Sequence, residues 1–131
     1  MRLLLDTHVA LWAILADRRL AKPARQLIET LDNEIYISAA SVWEISIKHS
    51  LSRGRRRDMP ISGHEALAFF RQAGYGLLAV TAEHAAAVGS LAPIHTDPFD
   101  RILVAQAEME PLRLLTHDAR LAGYGTIVQV V

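Results

Sequence analysis

Apolar residues in this chain fall in short, almost unbroken runs, and longer stretches with helical spacing separate them. The runs are Leu3 to Leu5, Glu34 to Ser38, Leu77 to Val80, Arg113 to Thr116 and Thr126 to Val131. Runs that stay apolar instead of alternating suit strands buried on both faces. The segments His8 to Leu15, Lys22 to Leu31, Ala39 to Leu51, Ser62 to Ala73, Ala82 to Leu91 and Pro98 to Met109 read as helices. Strand and helix therefore alternate, and the pattern predicts a parallel sheet covered by helices on both faces. Boundary residues agree: Pro23 lies near one helix start, Asp97-Pro98 supplies the cap and first position of another, and Gly74 and Gly123 lie near ends. The chain has no internal repeat and no low-complexity linker.

A length of 131 residues suits one domain, 1–131, with a core of its own. Cysteine is absent, which removes disulfides and thiolate metal sites and fits a reducing compartment, so a cytoplasmic setting is expected. Asp6 interrupts the apolar start, against a signal peptide, and no apolar run has membrane-spanning length. Fourteen basic and fourteen acidic residues cancel, leaving no global field to attract nucleic acid. Any such contact must be local, and Arg53, Arg55, Arg56 and Arg57 crowd one short loop that Asp58 alone relieves. That loop reads either as solvated or as phosphate-contacting. A hydrophobic content of 51% is high for this length and points to apolar surface covered by another chain.

Four acids stand at strand-to-helix junctions: Asp6 after Leu5, Glu44 soon after Ser38, Asp100 at the head of the Pro98 segment and Asp118 just past Thr116. In a parallel α/β sheet the carboxyl ends of the strands share one edge, so these acids are expected to converge, Asp100 by the least direct route. Each also has a purely structural use. Asp6 and Asp118 can cap the turns that follow them, and Thr7 and Thr116 can cap or order a neighbouring carboxylate. Glu44 fits a capping box with Ser41 or an i,i+4 pair with Lys48, although Ser38 is the better cap at the strand exit. Asp97 before Pro98 reads as a cap first, with support of the site second. Asp100 differs, because Val104 and Ala107 share its helix face and a buried lone charge is costly there.

Four desolvated carboxylates repel one another, and a bound cation is the usual remedy. Oxygen donors favour Mg²⁺ or Mn²⁺ over zinc, and these ions carry water able to attack phosphorus. The histidines lack zinc-site spacing. His8, His95 and His117 fall near the acids as candidates for substrate contact, whereas His49, His64 and His84 read as surface or packing residues. There is no Gly-rich phosphate loop, no G-x-S-x-G and no nucleophilic cysteine.

The opening Leu3-Leu4-Leu5-Asp6-Thr7-His8, the stretch from Ser38 to Lys48, the block His95-Thr96-Asp97-Pro98-Phe99-Asp100-Arg101 and Leu115-Thr116-His117-Asp118 together resemble the PIN-domain ribonucleases. More closely, they resemble the VapC-type toxins of bacterial toxin–antitoxin pairs, end to end and in the same order. The resemblance implies a PIN-like three-layer α/β/α fold, with the five apolar runs forming a central, mostly parallel sheet. It implies an Mg²⁺- or Mn²⁺-dependent endoribonuclease, a small cognate antitoxin, and homodimers or toxin–antitoxin hetero-oligomers. Asp6, Glu44 and Asp100 match the family's principal acids and Asp118 the more variable fourth, while Asp97 precedes the position aligned with the metal-site acid. On this reading Asp6 and Asp100 hold the metal, Glu44 and Asp118 complete the pocket, and Arg53, Arg55, Arg56 and Arg57 attract the RNA backbone. Two rivals remain. One is an aspartyl phosphotransferase or phosphatase of haloacid-dehalogenase type with Asp6 as nucleophile, though His8 stands where its second Asp belongs. The other is a non-catalytic peptide-binding module whose acids only cap helices.

Overall fold

The apolar triplet Leu3-Leu4-Leu5 forms the middle of the molecule. In this computed structural model, which describes residues 1–52 and 59–131, it belongs to β1 (Arg2–Leu5). The chain continues through α1 (Thr7–Ile14), α2 (Lys22–Glu29), β2 (Glu34–Ser38), α3 (Ala39–Ser52), α4 (Gly63–Gln72) and β3 (Gly76–Leu78). It then forms α5 (Ala82–Ala87), a 3₁₀ turn (Val88–Ser90), α6 (Pro98–Met109), β4 (Arg113–Thr116), a second 3₁₀ turn (Ala119–Tyr124) and β5 (Val128–Val130). The strands form one sheet in the order β3-β2-β1-β4-β5, and every pairing is parallel.

Side chains of a strand point to alternate faces, so the triplet splits between two cores. Leu3 and Leu5 pack with Val9, Ile37, Ile45, Ala66 and Phe70, under α1, α3 and α4. Leu4 packs with Leu103, Val104, Ala107 and Leu121, under α6 and the second 3₁₀ turn. The result is the expected three-layer α/β/α arrangement. Helices α3 and α4 meet closely at Gly63, where an added Cβ would fall 1.8 Å from Ser46 Oγ.

Several elements are shorter than the pattern predicts, and three of them have a local reason. The helix expected to reach Leu91 gives way at Val88, whose carbonyl accepts a hydrogen bond from Arg101 Nη2 at 3.0 Å; Gly89, a poor helix former, follows. The strand expected over Leu77 to Val80 ends at Leu78, and the Ala79 carbonyl accepts instead from Gln106 Nε2 at 3.2 Å. The strand expected from Thr126 begins at Val128, because Gly125, at φ 100°, opens a turn closed by Val128 N donating to Gly125 O at 3.1 Å.

The topology also positions the site. After β1 the chain moves to the face of Leu3 and Leu5, and after β4 to the face of Leu4. Adjacent strands whose continuations leave on opposite faces open a crevice at their carboxyl ends, where α/β sheets bind ligands.

Candidate active site

Asp6 follows β1 directly and caps α1: its Oδ1 accepts from Val9 N at 2.8 Å. Its Oδ2 accepts from the Thr116 hydroxyl at the end of β4, which in turn accepts from Asp118 N at 3.0 Å. Capping and site roles thus coexist in one carboxylate. Asp6 is 3% exposed, and burial is the main reason its pKa is raised; the bonds from Thr116 and Val9 oppose that shift. Thr7 ties α1 to α3 by donating its hydroxyl proton to Ser41 Oγ at 3.0 Å.

Helix α3 begins at Ala39, and Ala40 N donates to Ser38 Oγ at 3.0 Å, so Ser38 and not Ser41 serves the helix start. Glu44 consequently sits in the second turn, facing back toward the strand ends. It is buried at 4% exposure, and Lys48 Nζ donates to its Oε2 at 2.6 Å. Asp97 caps α6, accepting from Phe99 N at 2.8 Å and Asp100 N at 3.2 Å. One turn of helix thereby carries Asp100 into the crevice. Its pKa is pushed up to about 6, first by burial and also by the charges of Asp97 and Asp6, against the opposing hydrogen bond with His95.

Asp118 caps the second 3₁₀ turn and accepts from Arg120 Nε at 3.0 Å and Nη2 at 2.7 Å. The Arg120 hydrogen bond holds its pKa down at about 2. Asp6, Glu44, Asp97, Asp100 and Asp118 line one pocket of about 400 Å³ with Thr7, His8, Lys48, His117 and Arg120. Thr116 supports the pocket from beneath. Arg53, Arg55, Arg56 and Arg57 lie outside the described residues.

Sequence reasoning did not foresee how these acids divide. Glu44 and Asp118 bring their own cations, Lys48 and Arg120. Among the described residues, Asp6 accepts only from a hydroxyl and an amide, and Asp100 pairs with a histidine. Lys48 was legible as the i,i+4 partner of Glu44, but the Asp118–Arg120 pair depends on the turn between them.

His95 was legible only as a neighbour of the acids. Its Nε2 lies 2.8 Å from Asp100 Oδ2 and 3.9 Å from Asp118 Oδ2. The loop that carries it is clamped: Tyr124 Oη accepts from His95 N at 3.2 Å, and Arg101 Nη1 donates to the carbonyls of Ala92 at 3.1 Å and His95 at 3.2 Å. Donor atoms of His95, Asp100 and Asp118 lie within 4.8 Å of one another, a span one small cation can bridge. The donor set fits a hard divalent ion: carboxylate oxygens dominate, two acids carry burial-raised pKa values, and the imidazole nitrogen admits Mn²⁺ beside Mg²⁺.

Fold and site together define an α/β protein with an acidic, cation-fitting pocket at the switch point of a parallel sheet. The chain belongs to the PIN domain family, whose model matches residues 3–126. No curated protein matches it in sequence. Among solved structures it is similar to VapBC2 from Rickettsia felis bound to a DNA fragment from their promoter, with 18% identity, a TM-score of 0.73, and 100% of this chain and 99% of that one covered. A toxin–antitoxin complex from Klebsiella pneumoniae matches with 19% identity and a TM-score of 0.64, covering 97% of this chain and 95% of that one. FitAcB from Neisseria gonorrhoeae matches with 18% identity and a TM-score of 0.62, covering 96% and 95%. At these identities the likeness is one of fold.

Proposed function

We propose that this protein is a metal-dependent endoribonuclease and the toxin of a toxin–antitoxin pair. The observation that carries the reading is the meeting of Asp6 and Asp100, both with raised pKa values, in a pocket where Glu44 and Asp118 already have cationic partners and Asp97 is occupied as a helix cap. Asp6 and Asp100 would hold Mg²⁺, or Mn²⁺, with His95 at hand as a nitrogen donor. The bound cation supplies Lewis-acid polarisation of the phosphodiester and a more acidic water.

The chain's own residues do the rest. Thr116 and the Val9 amide fix the orientation of Asp6, while the Asp97 cap and His95 fix Asp100. Glu44, held by Lys48, and Asp118, held by Arg120, complete the wall and can accept a proton from water or order it. Lys48 and Arg120 offer positive charge to phosphate at the pocket rim, and Arg53, Arg55, Arg56 and Arg57 extend that attraction along the RNA backbone. Attack by water leaves a 5′-phosphate and a 3′-hydroxyl.

Family membership supports the nuclease reading, and end-to-end likeness to chains from toxin–antitoxin complexes supports the toxin reading. The partner is then a small cognate antitoxin, within homodimers or hetero-oligomers. An apolar surface around Trp43, which is 62% exposed, with Phe99, Val80 and Ile102, fits coverage by another chain. The cytoplasm is the proposed location; no described helix is long and apolar enough to cross a membrane.

The test is incubation of purified protein with total RNA and Mg²⁺ or Mn²⁺, followed by mapping of the cut ends. Asp6→Asn and Asp100→Asn should abolish cleavage while keeping the fold. Undiminished cleavage by either variant, or by wild type in excess EDTA, overturns the reading.

A further inference from the structure

Two exposed imidazoles stand on the rim of the acidic pocket without a hydrogen bond to any described residue. His8 is the second residue of α1, two positions after Asp6, and His117 lies between Thr116 and Asp118; both line the pocket. Their rings meet edge to face, with centroids 5.8 Å apart at 81°. Both rest on the buried indole of Trp12, His117 at 4.6 Å and His8 at 5.9 Å. Arg19 covers the same indole at 5.2 Å, held in place by Asp17 at 2.8 Å. Exposed side chains ordinarily move freely, but here a rigid buried ring supports two others at the mouth of the site.

We propose that His8 and His117 form a stacking platform for one nucleobase of single-stranded RNA beside the scissile phosphate, the base lying on the face of one ring and against the edge of the other, an inference that rests on the ribonuclease reading above. Aromatic faces hold unpaired bases with little regard to sequence. A base is neutral, so it can lie against the rim of a pocket whose carboxylates repel phosphate. With a nucleobase fixed on this platform, the adjoining phosphate is directed inward to Asp6 and Asp100. The platform thus positions the substrate and selects unpaired RNA, since a paired base has no free face to offer.

The test measures binding of a fluorescent single-stranded RNA spanning a mapped cut site, in an Asp100→Asn background that prevents cleavage. His117→Ala and His8→Ala should each weaken binding roughly 5- to 100-fold. His117→Phe should restore it, because a phenyl face stacks without the imidazole nitrogens. An abasic residue placed in turn at each position flanking the cut should, at one position, weaken wild-type binding and erase the difference between wild type and His117→Ala. Both side chains are exposed, so melting temperatures should stay level and exclude misfolding. Unchanged affinity in both alanine variants overturns the platform, as does loss that Phe fails to rescue and that persists with every abasic RNA. If wild type cleaves RNA and Asp100→Asn does not while the histidine variants bind normally, the platform alone falls. If wild type neither binds nor cleaves RNA, the ribonuclease reading falls first and the platform with it.

Discussion

The hydroxyl of Thr116 donates to Asp6 Oδ2, joining the ends of β4 and β1 across 110 positions of sequence. The bond holds the more deeply buried of Asp6 and Asp100, neither of which pairs with a lysine or arginine among the described residues, and it aims one oxygen while the Val9 amide holds the other. Removing it should loosen the site without disturbing the core, because Thr116→Val preserves shape. Groups that orient metal ligands typically contribute about 10–100-fold to metal affinity or activity. Thr116→Val should therefore weaken Mn²⁺ binding by about that factor, as read by titration calorimetry, with cut positions unchanged. Wild-type affinity in this variant would show that the bond is incidental.

Acid titration of the metal-free protein should carry the mark of Asp100. Its pKa is raised from 3.8 to about 6, so the folded protein keeps a proton that the unfolded chain has lost. Its contribution to stability is fully present below the unfolded pKa and is lost as pH rises through about 6. Asp118, lowered to about 2, works in the opposite sense: its contribution is present above 3.8 and is lost as pH falls through about 2. In excess chelator, Asp100→Asn should gain melting temperature over wild type at about pH 7.5, and the gain should shrink by about pH 4.5. A difference that does not vary with pH would contradict the raised pKa.

Lys48 should matter to stability more than a surface lysine usually does, since it accompanies a buried carboxylate at 2.6 Å. Lys48→Ala should cost about 1–3 kcal/mol by leaving Glu44 without its partner. Adding Glu44→Gln should recover most of that loss in a chemical-denaturation cycle. Additive losses in the double variant would mean that the two side chains do not interact.

Ala16 sits at φ 52°, just past α1, where Asp17 N donates to Trp12 O at 2.9 Å and Ala16 N to Ala13 O. These bonds close the helix end in the geometry that favours glycine. Ala16→Gly should stabilise the protein by about 0.5–1 kcal/mol and raise the melting temperature by roughly 2–4 °C. A lower melting temperature would count against the left-handed conformation at this position.

Hydrophobic spacing and junction residues sufficed to predict the alternating strands and helices, the parallel sheet, and the Asp97 and Ser38 caps. These depend on residues within a few positions of one another. For the same reason Asp6, Glu44 and Asp118 were legible as acids just beyond strand exits, and Asp100 as an acid at a helix start. Element ends proved less legible at Val88 and Ala79, where Arg101 and Gln106 of α6 take carbonyls that the local pattern had left to helix and strand.

The sequence by itself determined which segments are strands, which are helices and where the junction acids fall, because side-chain periodicity and capping are local physics. Strand order was decided only in three dimensions: β4 lies beside β1, so Thr116 reaches Asp6 and the crevice opens between them. The fold also settled which acids keep a cation and which do not, by closing the turn that brings Arg120 onto Asp118 and by burying Asp6 and Asp100. His95 gained its place between two carboxylates from a loop clamped by Arg101 and Tyr124. Burial and charge pairing depend on how the whole chain packs, and no window of sequence contains that information.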